Sequence, residues 1–371
     1  MKSVVSFIKN NLMPIIAWAL AIVSMAIIPI DKKYADYFNI KTLACLFLIM
    51  LCIGAFKNLD IFTRMAKTMI KSLKNTKSLF AALIFITYIS SIFIANDIAL
   101  LTFLPLTLAV FQNCKKESYI PLTIIMQTVA ANLGGMIMPF GNPQSLYIFS
   151  FFKLTLPQYV SVMAPPFVLS LIIIAGICLF VKKEEVSVLN ELQPQISRFR
   201  IVFYLLLSIV ALLTVFDVIT YIMAGIIVVA GILIFDVKAF LKVDFGLLLT
   251  FVAFFIFANN MARIDAVNSF VSKLVNQNTL LVSVISCQLI SNVPSGIFLS
   301  NFTTNWKGLL LGVNIGGIGT IISSLASLIT LKTYIKAYPN KLLHYFGLFS
   351  IVNFSILAIL LAFGLLLVTL I

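Results

Sequence analysis

Most of the chain consists of hydrophobic runs separated by short clusters of lysine, aspartate, asparagine and proline. A helix needs about 20 apolar residues to cross a bilayer, so a run of that length predicts a membrane span. We interpret seven runs as single spans: residues 12–30, 42–56, 161–181, 201–215, 218–235, 245–257 and 342–371. The run 42–56 is short, but the lysines at its two ends can extend their side chains to the interface. The pattern predicts a polytopic helical membrane protein.

Two pairs of shorter runs predict helical hairpins that enter and leave the membrane on one side. Residues 78–95 and 98–111 are separated by the polar pair Asn96-Asp97. Residues 279–290 and 295–304 flank a second polar turn. The second arm of each pair has too few residues for a comfortable crossing, and re-entrant segments have this length. If both arms of a pair span instead, they cross twice and the predicted topology is unchanged.

Two further runs, residues 120–152 and 308–338, are too long for one straight helix and carry glycines in their middle. Irregular backbone at membrane depth survives only where protein or a wet cavity surrounds it. Broken helices at corresponding places in two halves of a chain are typical of a transporter's binding site. The interrupting residues are Gly134, Gly135, Gly141 and Pro143 in the first run and Gly316, Gly317 and Gly319 in the second.

The two halves share one order of elements: two spans, an amphipathic interfacial segment, a hairpin, a broken helix and a final span. The interfacial segments are residues 59–77 and 261–277, which mix apolar and charged positions. Each half crosses the membrane an even number of times and residues 201–215 add one crossing, so the second half is inverted. The prediction is an all-α inverted-topology repeat. Its parts are a first repeat (1–181), a cytoplasmic linker with a connecting span (182–215) and a second repeat (216–371).

Composition supports this class, because 61% of the 371 residues are hydrophobic and only 10% are charged. A soluble domain does not have this balance. The net charge of +14 would suggest nucleic acid in a soluble protein, but excess lysine and arginine here marks cytoplasmic loops. Most of the 26 basic residues lie on the predicted N-terminal side. We therefore expect a protein of the inner or plasma membrane of a prokaryote, with a cytoplasmic N-terminus and an external C-terminus. It should contact lipid and should not bind nucleic acid.

Asp97 is the only one of the 12 acidic residues predicted at membrane depth, where no lysine, arginine or histidine is expected. A charge at that depth costs several kcal/mol unless water, a proton or a cation compensates it. One hypothesis is that Asp97 exchanges a proton for a cation. The other is that it only caps the second hairpin arm. We favour the functional role because Asn96 would cap more cheaply, and the two roles are compatible.

Neutral polar groups at the hairpin turns and helix breaks complete a candidate site for substrate and coupling ion. An amide can bind a carboxylate or a cation, or it can simply satisfy the backbone of a turn. Unwound backbone offers carbonyl groups to Na⁺, and the N-termini of half-helices favour an anion. The candidate binding residues are Asn96, Asp97, Asn132, Gly134, Gly135, Gly141, Asn142, Pro143, Ser145, Ser291, Asn292, Asn314, Gly316, Gly317, Thr320, Ser323 and Ser324.

A Na⁺ site is predicted near Asn96, Asp97 and Asn292 because the two asparagines hold corresponding places in the two hairpins. The sequence contains no motif for ATP, haem, zinc or a catalytic serine. We therefore expect a protein that is not an enzyme and has no cofactor, with Na⁺ or H⁺ as its coupling ion.

These residues resemble the ion transporter superfamily, which includes citrate and dicarboxylate permeases, arsenite permeases and a branch of Na⁺/H⁺ antiporters. Asn96 and Asn292 correspond to the asparagines of the Ser-Asn-Thr tips that bind carboxylate and Na⁺ in dicarboxylate carriers, whereas both threonines are absent here. The run ANDIALLTFLP is similar to the arsenite permease pattern. GNPQS is similar to the Gly-x-Pro-Pro-Asn of the carboxylate branch, with Gln144 and Ser145 departing from it. The resemblance implies opposed re-entrant hairpins, broken helices, a homodimer and elevator motion.

Two functions of different classes remain open. The first is a secondary active transporter of a small anion, either a di- or tricarboxylate or an oxyanion, coupled to Na⁺ or H⁺. The alternative is a Na⁺/H⁺ antiporter, in which Asp97 binds the two cations in turn, or an arsenite efflux permease. The matched breaks favour transport over a receptor or scaffold role, because neither of those roles requires a broken helix.

Overall fold

The computed structural model describes residues 12–71, 73–186 and 197–370. These residues form helices and one isolated β-bridge, and they contain no strand, so the all-α prediction is confirmed. Within the described ranges, seven helices are long and apolar enough to cross a membrane. The chain is therefore a polytopic membrane protein. Residues 1–11 of the predicted first repeat and residues 187–196 of the predicted linker lie outside the described residues.

The helices of the described part follow the same order in each half. The first half contains α1 (Leu12–Ile27), α2 (Ile40–Asn58), α3 (Ile61–Ile70), α4 (Thr76–Phe93), α5 (Asn96–Asn113), α6 (Ile120–Gly134), α7 (Pro143–Phe151) and α8 (Leu156–Leu179). The connecting helix is α9 (Arg198–Val215). The second half contains α10 (Tyr221–Phe235), α11 (Phe245–Ala262), α12 (Asp265–Gln277), α13 (Thr279–Ile290), α14 (Asn292–Leu299), α15 (Trp306–Ile315), α16 (Leu325–Ala337) and α17 (Leu342–Leu370).

Both hairpins begin with a capping asparagine. The side chain of Asn75 accepts the N–H of Ser78 at the start of α4, and Asn278 accepts the N–H of Leu281 at the start of α13. An asparagine at this place satisfies one of the free N–H groups of the first helical turn. The first arms of the two hairpins therefore start at well-defined and corresponding points.

The second hairpin arms differ from the prediction. Asn96 and Asp97 do not separate the arms but form the first turn of α5, which has 18 residues instead of the shorter arm expected. Helix α14 has 8 residues and begins at Asn292, earlier than the predicted start at residue 295. The polar residues continue the helix because each asparagine side chain accepts the backbone N–H of the following residue.

The span after the first break also begins earlier than predicted. Thr155 and Gln158 form a capping box, so α8 starts at Leu156 and continues through Pro165 and Pro166. The predicted start of this span at residue 161 is therefore wrong. The second interfacial segment is likewise shorter than predicted, since α12 begins at Asp265 and residues 261 and 262 belong to α11.

The two halves interleave around the helix breaks. In each half the first hairpin arm packs against the first half of the broken helix, α4 against α6 and α13 against α15. The second arms cross to the other half, because α5 packs against α16 and α14 against α7. Five of the other spans form a second layer, in which α1 packs against α11, and α2 against α9 and α10. This layer contacts the hairpins through α11 and α14, whereas α8 and α17 pack against α6. Both hairpin turns are thereby held beside both breaks.

The inversion of the second half stays a prediction, and reporter fusions test it. A reporter fused after Arg198 is expected to be cytoplasmic, and one fused at the C-terminus is expected to be external. The physical reason is the odd number of crossings between the two points. Paired alkaline phosphatase and fluorescent-protein fusions would measure each location. Two reporters on the same side of the membrane would contradict the predicted topology.

Candidate functional site

The first break lies where the backbone comes too close to itself for a side chain. After α6 the chain forms one 3₁₀ turn and an extended segment before α7 begins at Pro143. A Cβ on Gly134 would overlap the carbonyl oxygen of Tyr88, and a Cβ on Gly141 would overlap that of Gly135. The Tyr159 hydroxyl donates to the free carbonyl of Met136 at 2.7 Å. Glycine is therefore required at the break, and a tyrosine from α8 satisfies the unwound backbone.

A glutamine holds the second break. The Gln288 amide of α13 donates to the carbonyl of Gly316 at 2.9 Å and to that of Ile318 at 3.2 Å. Its Oε1 accepts the N–H of Thr320 at 2.7 Å, and the Thr320 hydroxyl donates to the Gln288 carbonyl at 3.1 Å. Gly319 has a φ of +127°, which favours glycine. One side chain from the hairpin thus fixes three backbone groups of the break.

Each hairpin turn is joined to the break of its own half. The N–H of Asn96 donates to the carbonyl of Gly141 at 3.4 Å, and the N–H of Asn292 donates to the carbonyl of Ser323 at 2.9 Å. Ser291, just before α14, has a φ of +76°, a left-handed conformation that costs energy for a serine. The two turns therefore make equivalent contacts, although only the second is strained.

Buried side chains connect the two breaks to each other. Asn96 donates to Asn132 Oδ1 at 3.0 Å, and Asn132 in turn donates to Ser324 Oγ, in the other half, at 3.1 Å. Asn142 donates to Asn314 Oδ1 at 3.3 Å, and so does Ser145 at 3.1 Å. Each break thus contacts the asparagine that precedes the other. We call this set, Asn96, Asn132, Asn142, Ser145, Asn314 and Ser324, the central network.

Four helices begin at or beside the central network. Asn142 and Ser324 directly precede α7 and α16, Asn96 begins α5, and Asn292 begins α14 beside Ser323. A helix N-terminus carries free N–H groups and about half a positive charge. The arrangement therefore directs positive partial charge towards a buried region whose side chains are neutral.

Two oxygen atoms at the first break have no hydrogen-bond partner among the described residues. Asn142 Oδ1 and Gln144 Oε1 are both buried and unpartnered. By contrast, the amide oxygens of Asn96 and Asn292, which the predicted Na⁺ site would use, already accept backbone N–H groups. Among the buried side-chain oxygens that the structure describes at the two breaks, those of Asn142 and Gln144 are therefore the free acceptors.

Asp97 lies beside the network rather than within its hydrogen bonds. Its Oδ1 is buried without a partner among the described residues, so the interpretation of Asp97 as a helix cap is wrong. The carboxylate lines a cavity of about 90 Å³ between α2, α5, α16 and the start of α11. Lys57, Lys242 and Asp244 line the same cavity. The sequence predicts that Asp97 is isolated from other ionisable groups. The structure differs, because residues at the ends of neighbouring elements line the same cavity.

The sequence of the chain matches the citrate transporter family over residues 4–305. The chain belongs to the citrate transporter family. It is 33% identical over 294 residues to the uncharacterized transporter MJ0456 of Methanocaldococcus jannaschii, covering 79% of this chain and 80% of the relative. It is 29% identical over 322 residues to the inner membrane protein YbiR of Escherichia coli, covering 85% and 84%. The protein is therefore a secondary transporter.

Membership of the citrate transporter family confirms the resemblance inferred from the hairpin and break residues. The matched region contains the first turn, the first break and the turn at Asn292, and it ends before Asn314 and the second break. The central network therefore joins a segment inside the matched region to a segment beyond it. The assignment of the binding residues themselves stays a prediction.

Three residues with roles at this site were not predicted from the sequence. Gln144 supplies a free oxygen, Gln288 fixes the second break, and Tyr159 satisfies the first. Gln288 carried a signal, because an amide inside an otherwise apolar hairpin arm needs a buried partner. Tyr159 carried none, since a tyrosine near the start of a span is usually an interfacial residue.

Proposed function

We propose that this transporter moves a small di- or tricarboxylate or an oxyanion across the membrane, driven by a Na⁺ or H⁺ gradient. The observation that carries the proposal is the convergence of four helix N-termini on the buried central network. An anion gains from free N–H groups and from the positive ends of helices. The name of the family, citrate transporter, is consistent with a carboxylate substrate.

The polar groups of the site support an anion that is bound without formal ion pairs. All members of the central network are uncharged asparagines and serines, and all are buried. Neutral donors and helix ends can hold a carboxylate without the high desolvation cost of a buried lysine or arginine. Such a site also releases its ligand readily, which transport requires.

The unpartnered oxygens support a coupling cation beside the anion. Asn142 Oδ1 and Gln144 Oε1 could both turn towards a Na⁺ ion, together with carbonyl groups of the unwound backbone. A buried oxygen without a partner costs about 1–3 kcal/mol, and a bound cation removes that cost. We therefore move the proposed Na⁺ site from Asn96, Asp97 and Asn292 towards Asn142 and Gln144.

An elevator motion completes the proposal. The hairpins and broken helices are joined through the central network, whereas α1, α2, α9, α10 and α11 form the layer beside them. The hairpins and broken helices would move as one body against this layer. The layer would hold the two protomers of a homodimer together. A broken-helix site that moves as one body keeps its contacts with the ligand, while access to the site changes from one side of the membrane to the other.

Uptake into proteoliposomes tests the proposed function. Labelled citrate, succinate or arsenite is supplied with and without an inward Na⁺ gradient, and separately with a pH gradient. At least one carboxylate is expected to accumulate above its external concentration only when a cation gradient is imposed. Empty liposomes and protein-containing liposomes with collapsed gradients are the controls. Carboxylate uptake that never exceeds equilibration under any gradient would contradict the proposal.

One of the two alternatives, the Na⁺/H⁺ antiporter, is supported by one observation, whereas no observation of the structure supports the arsenite efflux permease. Asp97 has a buried and unpartnered oxygen in a cavity that it shares with Asp244. Two carboxylates in one cavity can bind a cation between them. Labelled Na⁺ flux that is driven by a pH gradient in the absence of any carboxylate would support the antiporter.

A further inference from the structure

Two lysines are brought together at the mouth of the Asp97 cavity. Lys57 lies in the last turn of α2 and is half-buried, whereas Lys242 ends the 3₁₀ segment Val237–Lys242 before α11. A Cβ on Gly54 would lie 2.9 Å from the Ala239 carbonyl oxygen and 3.1 Å from Lys242 Cβ. Glycine at this position therefore lets the 3₁₀ segment rest on α2, one helical turn before Lys57.

Neither lysine has a carboxylate partner within the part of the chain that the structure describes. Three other basic side chains are in ion pairs: Lys41 with Asp217, Lys116 with Glu184, and Arg263 with Asp31. Lys57 and Lys242 form none, and the positive charge of Lys242 acts on Lys57. Two like charges that lie close together and are in no ion pair repel each other, so an anion between them would be stabilising.

The two lysines line two neighbouring spaces. A cleft of about 570 Å³ is lined by Lys57, Thr102, Pro105 and Lys242, and the inner cavity of about 90 Å³ shares Lys57, Leu101 and Lys242 with it. The cleft has the volume of a small-molecule site. The inner cavity has room for about three waters. A tricarboxylate therefore fits the cleft but not the narrow part beside Asp97.

The charges differ between the two spaces. Asp97 and Asp244 line the inner cavity in addition to the two lysines, so the acidic and basic groups there are equal in number. The outer cleft is lined by Lys67 and Asp60 in addition to the two lysines. Positive charge thus predominates in the cleft, which attracts anions and raises their local concentration.

We propose that Lys57 and Lys242 form a capture site for polyvalent carboxylates in the cleft beside the Asp97 cavity. The proposal rests on the proposed function and narrows its substrate class to anions with two or more charges. Neutral arsenous acid and monovalent acids gain little from this pair. The capture site acts only from the membrane face on which the lysines lie, predicted to be cytoplasmic.

The test is the double variant Lys57→Gln with Lys242→Gln, studied in right-side-out and inverted membrane vesicles. For citrate supplied from the lysine side at low salt, the KM is expected to rise roughly tenfold, with little change in kcat. The difference should shrink at high salt, where charges are screened, and should be smaller for a monovalent acid. The KM measured from the opposite face should not change.

Two matched variants separate capture from a structural effect. Lys238→Gln removes an exposed lysine of the same 3₁₀ segment that lines neither space, and it should leave the KM unchanged. Arginine at both positions 57 and 242 keeps the charges and should restore the wild-type KM. Citrate binding to the detergent-purified protein, measured by calorimetry at low salt, should weaken in the glutamine variant alone.

The outcomes distinguish this proposal from the proposed function. If the wild-type protein concentrates citrate and the glutamine variant has the same KM and salt dependence, the capture site is overturned while the transport function stands. If the wild-type protein neither transports nor binds any polycarboxylate, both are overturned. A loss of kcat without a change in KM would assign the lysines a structural role and also overturn capture.

Discussion

Gly141→Ala is expected to abolish transport and to destabilise the protein by about 3 kcal/mol or more. The added Cβ would overlap the Gly135 carbonyl oxygen, and backbone on both sides of the break would have to move. The Gly141 carbonyl also accepts the N–H of Asn96, so the first hairpin turn would shift with the break. The first break and the first hairpin turn are then both displaced by one methyl group.

The effect is measured as thermal unfolding of the detergent-purified variant and as its uptake rate in proteoliposomes. Gly176→Ala is the matched control, because a Cβ at this helical glycine would meet nothing within 4 Å. Alanine favours a helix over glycine, so the control should unfold at the same temperature or a slightly higher one. A Gly141 variant that unfolds and transports like the Gly176 variant would show that the backbone at the break is not closely packed.

Asp97→Asn is expected to abolish accumulation against a gradient while leaving the protein folded. Asn has nearly the size of Asp, and the Asp97 carboxylate neither caps α5 nor forms a hydrogen bond through Oδ1 among the described residues. What the substitution removes is a titratable charge in a cavity with room for water or a cation. The variant should retain at most substrate flux down a gradient, or substrate exchange.

Concentrative uptake in proteoliposomes with imposed pH and Na⁺ gradients measures this loss. Asp265→Asn is the control, since Asp265 also lies in the first turn of a helix but is exposed on α12. The control should concentrate substrate as the wild type does. If the Asp97 variant does so too, with unchanged pH and Na⁺ dependence, Asp97 takes no part in coupling, and the Na⁺ site proposed at Asn142 and Gln144 acts without it.

The sequence predicted the elements whose signal is local. Both breaks were placed correctly, since glycines inside long apolar runs mark backbone that leaves the helix. Asn96 and Asn292 were placed at the hairpin turns for a similar reason. The arm boundaries were wrong by a few residues, because the same asparagines also satisfy the first turn of a helix, a choice that composition does not decide.

The partners inside the site could not be predicted in this way. Asn142 and Asn314 are 172 residues apart, and their contact exists only because the halves interleave. The sequence likewise gave no reason to bring Lys57 and Lys242 to the Asp97 cavity. Their approach depends on the 3₁₀ segment resting on Gly54, a contact between elements far apart in the chain.

The sequence by itself determined the fold class, the membrane location, the repeated order of elements and the transporter family. These properties follow from the length of the hydrophobic runs, the distribution of basic residues and the residues of local turns. Each of these signals can be recognised in one segment without its neighbours. Only the tertiary structure decided which oxygens remain free, which amides are occupied and which charges meet Asp97. Hydrogen bonds and cavities are properties of packed surfaces, and each needs two or more segments to be in place before it exists.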